Sequence, residues 1–286
     1  MNYQSVIILG APRSGTNMLR DVLCEFDGVG TWPCDEINYI WRHGNVTSAS
    51  DEFTVEMAGP EIKNFIANEF DAFAEKQKLS FLVEKTCANS LRVPFVDKVM
   101  PEAKYIFIVR DGVDAVGSAT LRWKAKLDIP YILKKIRYVP FSDLPYYAIR
   151  YFSSRLHRFF SKDGRLSFWG PQLNGLDSAL KHYSLEEVCA LQWQRCVELS
   201  EAALSKIPED RVVRVKYETF VTQPESELSR VLQALGVDFD SAKVKKAVIR
   251  VSDKSIGKGR KALKDKNLED VERLVASTLK RHGYEC

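Results

Sequence analysis

The chain repeats one pattern: a short apolar block, a glycine or a charged pair, then apolar residues at helical spacing. Val6 to Leu9 is such a block, mostly β-branched and closed by Gly10. Met18, Leu19, Val22, Leu23 and Phe26 follow at the spacing of one buried helical face, and Gly28-Val29-Gly30 ends that helix. Ile62, Phe65, Ile66, Phe70 and Phe73 predict a second helix, opened by Pro60. Residues 80–83, 104–109 and 211–215 read as strands. Helices are predicted over 89–99, 113–124, 184–206, 223–235, 241–250 and 267–282. The helix at 184 opens with a capping-box pattern, Ser184-Leu185-Glu186-Glu187. Strand and helix alternating at this spacing predict an α/β fold with a P-loop-like, three-layer plan: a central parallel sheet flanked by helices, with right-handed crossovers.

Two stretches depart from the rhythm. Residues 45–59 carry no readable pattern. Residues 125–182 are rich in Tyr, Phe, Arg and Lys, and contain Pro130, Pro140, Pro145 and Pro171. We expect a helical and loop insertion over the crevice on the substrate side, within a single domain spanning 1–286.

Composition narrows the class. The chain is 45% hydrophobic and 28% charged, an ordinary globular balance, and its net charge of +4 is too small to argue for nucleic acid. The excess is uneven, with one basic run from Arg122 to Arg165 and another from Lys254 to Lys266. No apolar run approaches a membrane span, and the N-terminus lacks the basic region and cleavage signature of a signal peptide. These features predict a cytoplasmic protein without stable membrane insertion. Six cysteines without a C-x-x-C pair predict reduced thiols, with Cys189 and Cys196 in the core. Four histidines show no metal-ligand spacing, so no metal site is expected.

The candidate chemistry starts at the first strand. Gly10-Ala11-Pro12-Arg13-Ser14-Gly15-Thr16-Asn17 is a glycine-bounded loop before a helix, which aims N–H groups and a positive helix end at one point. The spacing from Gly10 to Gly15 is that of a nucleotide P-loop, but Thr16-Asn17 stands where Lys-Ser/Thr belongs. The only cation in the loop is Arg13. Such a site grips a phosphate-like group without the phosphoryl-transfer lysine or the hydroxyl that holds magnesium. Thr16 and Asn17 also suit a plain helix cap. Two more strands end in charge, at Glu84-Lys85-Thr86 and at Arg110-Asp111-Gly112, where open α/β sheets face their ligands.

Together these segments resemble the sulfotransferases that use 3′-phosphoadenosine 5′-phosphosulfate (PAPS). Pro12-Arg13-Ser14-Gly15-Thr16 is similar to the family's 5′-phosphosulfate loop. Val109-Arg110-Asp111-Gly112 with Ser118 resembles its 3′-phosphate motif, an arginine with a serine eight residues on. Glu84-Lys85-Thr86 matches the E-K-[ST] of the carbohydrate branch. Tyr217-Glu218-Thr219-Phe220 with Pro224 matches a further segment, and Ser255-Ile256-Gly257-Lys258-Gly259-Arg260 partly matches the C-terminal loop. Gly112 stands for the usual proline, Gly259 for the usual tryptophan, and Arg13 for the lysine of many eukaryotic members. The resemblance implies a bacterial, cytosolic sulfotransferase that moves a sulfuryl group from PAPS, as co-substrate and without metal, to an acceptor hydroxyl of a carbohydrate or other small molecule. It implies nucleotide binding by Pro12, Arg13, Ser14, Gly15, Thr16, Asn17, Arg110, Ser118, Tyr217, Gly257, Lys258, Gly259 and Arg260. Arg13 is assigned to the leaving oxygen, Glu84 to the general base and Lys85 to orienting it or meeting the sulfuryl oxygens, with Glu36 and His43 as rival bases. A P-loop kinase or other phosphotransferase, and a nucleotide- or polyanion-binding protein without activity, are the alternative readings. Acceptor identity and oligomeric state are not legible in the sequence.

Overall fold

A computed structural model describes residues 3–123, 137–149 and 169–285. The five strands are β1 (Gln4–Leu9), β2 (Val29–Gly30), β3 (Phe81–Lys85), β4 (Lys104–Val109) and β5 (Val212–Lys216). They form one sheet in the order β2-β3-β1-β4-β5, and every pairing is parallel. β2 is the strand that periodicity missed. Its two residues, read as a helix stop, are too short to carry a pattern, and pairing with Phe81 and Leu82 makes them a strand.

Helices cover both faces. One layer holds α1 (Thr16–Leu23), α8 (Tyr217–Thr222), α9 (Pro224–Leu235) and α10 (Ser241–Ala247), packed on Val6, Ile8, Val83, Ile106 and Ile108. The other holds α2 (Asn38–Trp41), α3 (Pro60–Gln77), α4 (Val93–Val99), α5 (Gly112–Trp123), α6 (Leu176–His182), α7 (Leu185–Leu204) and α12 (Asp265–Arg281), packed on Ile7, Leu9, Leu82, Tyr105 and Phe107. Alternate strand residues thus feed opposite layers, as the pleat requires. Cys189, Trp193 and Cys196 lie in the second core, as expected of the α7 pattern. The capping box at Ser184 is formed in both directions, with Glu187.

Local boundaries differ from the sequence reading where a short-range signal intervenes. The helix expected over 89–99 divides into a 3-10 turn at Cys87–Leu91 and then α4, because Pro94 has no N–H to continue a helix from residue 90 and suits only the first turn of a new one. The stretch that holds the expected C-terminal loop, Ser255 to Arg260, begins at the end of a 3-10 turn at Asp253–Ser255 and runs into the helix α11 (Lys258–Ala262). The unpatterned residues 45–59 are tied in by Asp51. Its carboxylate takes Arg42 Nη1 at 2.7 Å and the Gln172 N–H at 2.8 Å, and its own N–H donates to the Gln172 carbonyl. That contact fixes the return of the segment expected to be an insertion. Residues 124–136 and 150–168 of that segment lie outside the described residues.

Candidate active site

The parallel strands bring three chain crossings to one edge: the β1–α1 loop, the end of β3 and the end of β4. The β1–α1 loop turns sharply. Arg13 (φ 72°) and Gly15 (φ 88°) both take the left-handed conformation, which is costly for arginine and characteristic of functional loops. Gly15 is required twice. A Cβ there would also lie 2.5 Å from the Tyr217 ring, which packs under the loop. Gly10 donates to Ser90 Oγ at 2.9 Å, locking the loop base to the turn after β3. Helix α1 begins without a side-chain cap, so Thr16 and Asn17 do not serve that purpose. The Ser14 hydroxyl is fully buried and has no hydrogen-bond partner among the described residues. The N–H groups of Gly15 and Thr16 likewise meet no acceptor there. An orphaned hydroxyl beside unpartnered N–H groups is a cradle for an anion.

Arg13 extends from this cradle toward α5 and donates Nε to Ser118 Oγ at 3.0 Å. Partial burial, then the like charges of Arg122 and Arg110, push its guanidinium pKa down. Both arginines thus lie near enough for their charge to act on Arg13. Asp114, Ser118 and Arg122 follow at four-residue steps on one face of α5, and Arg110 continues the spacing just before the helix. Arg122 belonged only to a basic run in the sequence; its four-residue step from Ser118 was the available signal.

Arg110, expected at the nucleotide, is engaged within the protein. Nη1 donates to the Arg13 carbonyl at 2.9 Å, and Nη2 donates to Asp114 and to the Ser255 carbonyl (2.7 Å). Its plane lies 4.5 Å from the Tyr217 ring centroid, and only the buried Nε has no partner among the described residues. Arg110 therefore bridges the β1–α1 loop to the C-terminal loop. Arg260, also expected at the nucleotide, ion-pairs with Glu272 and, at 3.8 Å, with Asp111. Gly257 and Gly259 give their N–H groups to Asp114, and Lys258 is exposed at the loop surface.

At β3, register decides which carboxylate faces the crevice. Glu84 pairs with Ile7 and points into the second layer, where it is 1% exposed. Its carboxylate accepts from Thr86 Oγ1 and from Asn89 Nδ2 (2.9 Å), and burial raises its pKa to about 7. Asn89 accepts from Arg92, which reaches Asp51 and Asn38 in a buried polar chain. Lys85 pairs with Ile8 and points to the opposite layer, donating to Glu36 Oε1 at 3.0 Å. Burial opposes the lysine charge, but Glu36 outweighs it and the net shift is upward. Glu36 also accepts from the Cys87 N–H at 3.3 Å, and its side chain is 28% exposed. Cys87 Sγ lies 3.9 Å from Thr16 Oγ1, so Glu36 stands within two side chains of the anion cradle. The segment that carries the rival bases, 31–44, divides: Trp32, Ile37, Ile40 and Trp41 are core, and Glu36 is the acid beside the crevice. His43 leaves it altogether, pairing with Asp143 at 2.9 Å and stacking on Phe65.

The chain matches the model of the sulfotransferase family over residues 5–168 and 157–241. The chain belongs to the sulfotransferase family. Solved sulfotransferases share its fold. The sulfotransferase domain of the curacin biosynthetic pathway superposes with a TM-score of 0.58 at 13% identity, covering 99% of this chain and 98% of that one. The domain from the Synechococcus PCC 7002 olefin synthase gives 0.56 at 16% identity, covering 100% and 96%. Sulfotransferase STF9 from Mycobacterium avium gives 0.54 at 12% identity, covering 100% and 78%. Among curated protein sequences no match was found. Among the described residues of this sulfotransferase, no helix is long and apolar enough to cross a membrane, and no cluster of three or more His, Cys, Asp or Glu forms a metal site.

Proposed function

We propose that this sulfotransferase moves a sulfuryl group from PAPS to an acceptor hydroxyl, and that the acceptor is a carbohydrate. The observation that carries the reading is Arg13: a left-handed arginine inside an anion cradle, near Arg110 and Arg122, with one internal hydrogen bond to Ser118 among the described residues. Those donors fit a nucleotide bearing two separated anionic ends. The cradle of Ser14, Gly15 and Thr16 would hold one end, and Ser118 with Arg122 and the Arg110 Nε would meet the other. The carbohydrate acceptor rests on the Glu84-Lys85-Thr86 motif.

The bound donor supplies an activated sulfur–oxygen bond, and negative charge grows on the leaving oxygen as it breaks. Arg13 and the loop N–H groups are fixed in advance where that charge develops, and such preorganised donors are worth most in a water-poor crevice. Glu36, in place of Glu84, takes the acceptor proton. Support comes from exposure and neighbours: Glu36 is partly open beside the cradle, whereas Glu84 is sealed and both its oxygens are engaged. Lys85 orients Glu36.

The test has two arms. The chain is titrated with adenosine 3′,5′-bisphosphate and with ATP–magnesium, and oligosaccharides incubated with PAPS are weighed by mass spectrometry for added sulfuryl groups. Preference for the bisphosphate with sulfated product supports the reading; preference for ATP–magnesium sinks it. Glu36→Gln is expected to lower kcat by about 10²–10⁴-fold while bisphosphate affinity is kept. Full turnover in that variant removes Glu36 as the base.

A further inference from the structure

Asp114 is a buried carboxylate with no place in the chemistry above, yet it receives four donors. Arg110 Nη2 reaches it from the junction of β4 and α5. The N–H groups of Gly257 (3.1 Å), Gly259 (2.5 Å) and Arg260 (3.2 Å) reach it from the C-terminal loop. The backbones meet beside it. A Cβ on Gly259 would lie 1.8 Å from the Asp114 carbonyl oxygen, and one on Gly117 would lie 2.0 Å from the Gly259 carbonyl oxygen. Neither contact tolerates any other residue without the loop moving away. Asp114 is itself fixed, since its N–H donates to Asp111 Oδ1 at 2.8 Å.

We propose that Asp114 is a positioning residue for the nucleotide site: with Gly117 and Gly259 it clasps the C-terminal loop to α5 and holds Arg110 across to the β1–α1 loop. The proposal rests on the nucleotide-binding reading above for its consequence, and on contacts alone for the clasp. Arg110 joins Arg13, Asp114 and Ser255, so releasing Asp114 frees the loop and lets the Arg110 guanidinium swing out of line. Lys258 and the loop backbone leave with it. The glycine at 259 is then a structural necessity of this close docking, where a bulky side chain cannot fit.

The test uses Asp114→Asn and Gly259→Ala, the second leaving every side chain of the site in place. Hydrogen exchange on the ligand-free protein reads the clasp. The amides of Gly257, Gly259 and Arg260 are expected to exchange roughly tenfold faster or more in both variants, with β4 and α7 unchanged. Titration with adenosine 3′,5′-bisphosphate reads the consequence: Kd, and KM for the donor, rise roughly tenfold or more, while kcat at saturation changes by less than about threefold. The double variant is expected to be no worse than either single one, because both break the same contact. Unchanged exchange at the three amides overturns the clasp. Faster exchange with unchanged Kd, or a fall in kcat at unchanged KM, overturns its role at the nucleotide. If the unaltered protein fails to bind the bisphosphate, the functional reading falls and the nucleotide role with it, while the exchange arm still decides the clasp.

Discussion

Replacing Glu84 by glutamine separates a buried structural carboxylate from a catalytic base. Burial raises its pKa from the ordinary 4.5 to about 7, outweighing the hydrogen bond from Thr86 and the charge of Lys85. Its folded-state value therefore lies above its unfolded one. Below about pH 4.5 the group is protonated in both states and its contribution to stability is fully present. As pH rises toward 7 the unfolded chain ionises first, and stability is lost until the folded group ionises too. A shift of about 2.5 units at about 1.4 kcal/mol each makes that loss about 3 kcal/mol. Glutamine imitates the protonated form. Asn89 Oδ1 is held by Arg92 Nε, so Asn89 presents its amide N–H to position 84. The new side chain then turns its oxygen to Asn89 and its NH₂ to Thr86 Oγ1. Urea unfolding of both proteins between pH 4.5 and 7.5 is the assay. Glu84→Gln is expected to gain about 3 kcal/mol on the unaltered protein across that window, and to keep its turnover within a few-fold at pH 7.5. Parallel stability curves would refute the buried, raised carboxylate. A loss of turnover of about 10² or more would return the base to Glu84.

Two further perturbations test the scaffold of the site. Gly15→Ala forces a left-handed alanine against the Tyr217 ring; thermal unfolding is expected to show a loss of about 2 kcal/mol or more, with bisphosphate binding abolished. Asp51→Asn leaves Arg42 and Arg92 buried without their shared carboxylate, so urea unfolding should show a loss of about 3–5 kcal/mol. Because Asp51 also holds the Gln172 backbone, faster proteolysis near residue 172 is expected in that variant, and unchanged cleavage would remove the tether.

Local signals in the sequence were enough for four of the five strands, the glycine-bounded loop and the order of the charged strand ends. Apolar runs and glycine spacing act over a few residues, so β1, β3, β4 and β5 were legible, as was the cation within the loop at Arg13. The family resemblance was carried by the same short segments. What the sequence could not show is which partner each charged side chain takes. On β3 a single step of register sends Glu84 into a sealed layer and Lys85 toward Glu36, 49 residues away in the chain. Asp114 is one acid in the first turn of α5; only the arrival of residues 257–260, 143 or more positions later, brings it the N–H donors of the C-terminal loop. Arg110 kept its predicted position, but three oxygen partners converge on it only after the sheet is assembled. Strand and helix follow from backbone preference and burial of near neighbours. The different surroundings of Glu36, Glu84 and Asp114 follow from desolvation and long-range pairing, which exist only once the chain has folded.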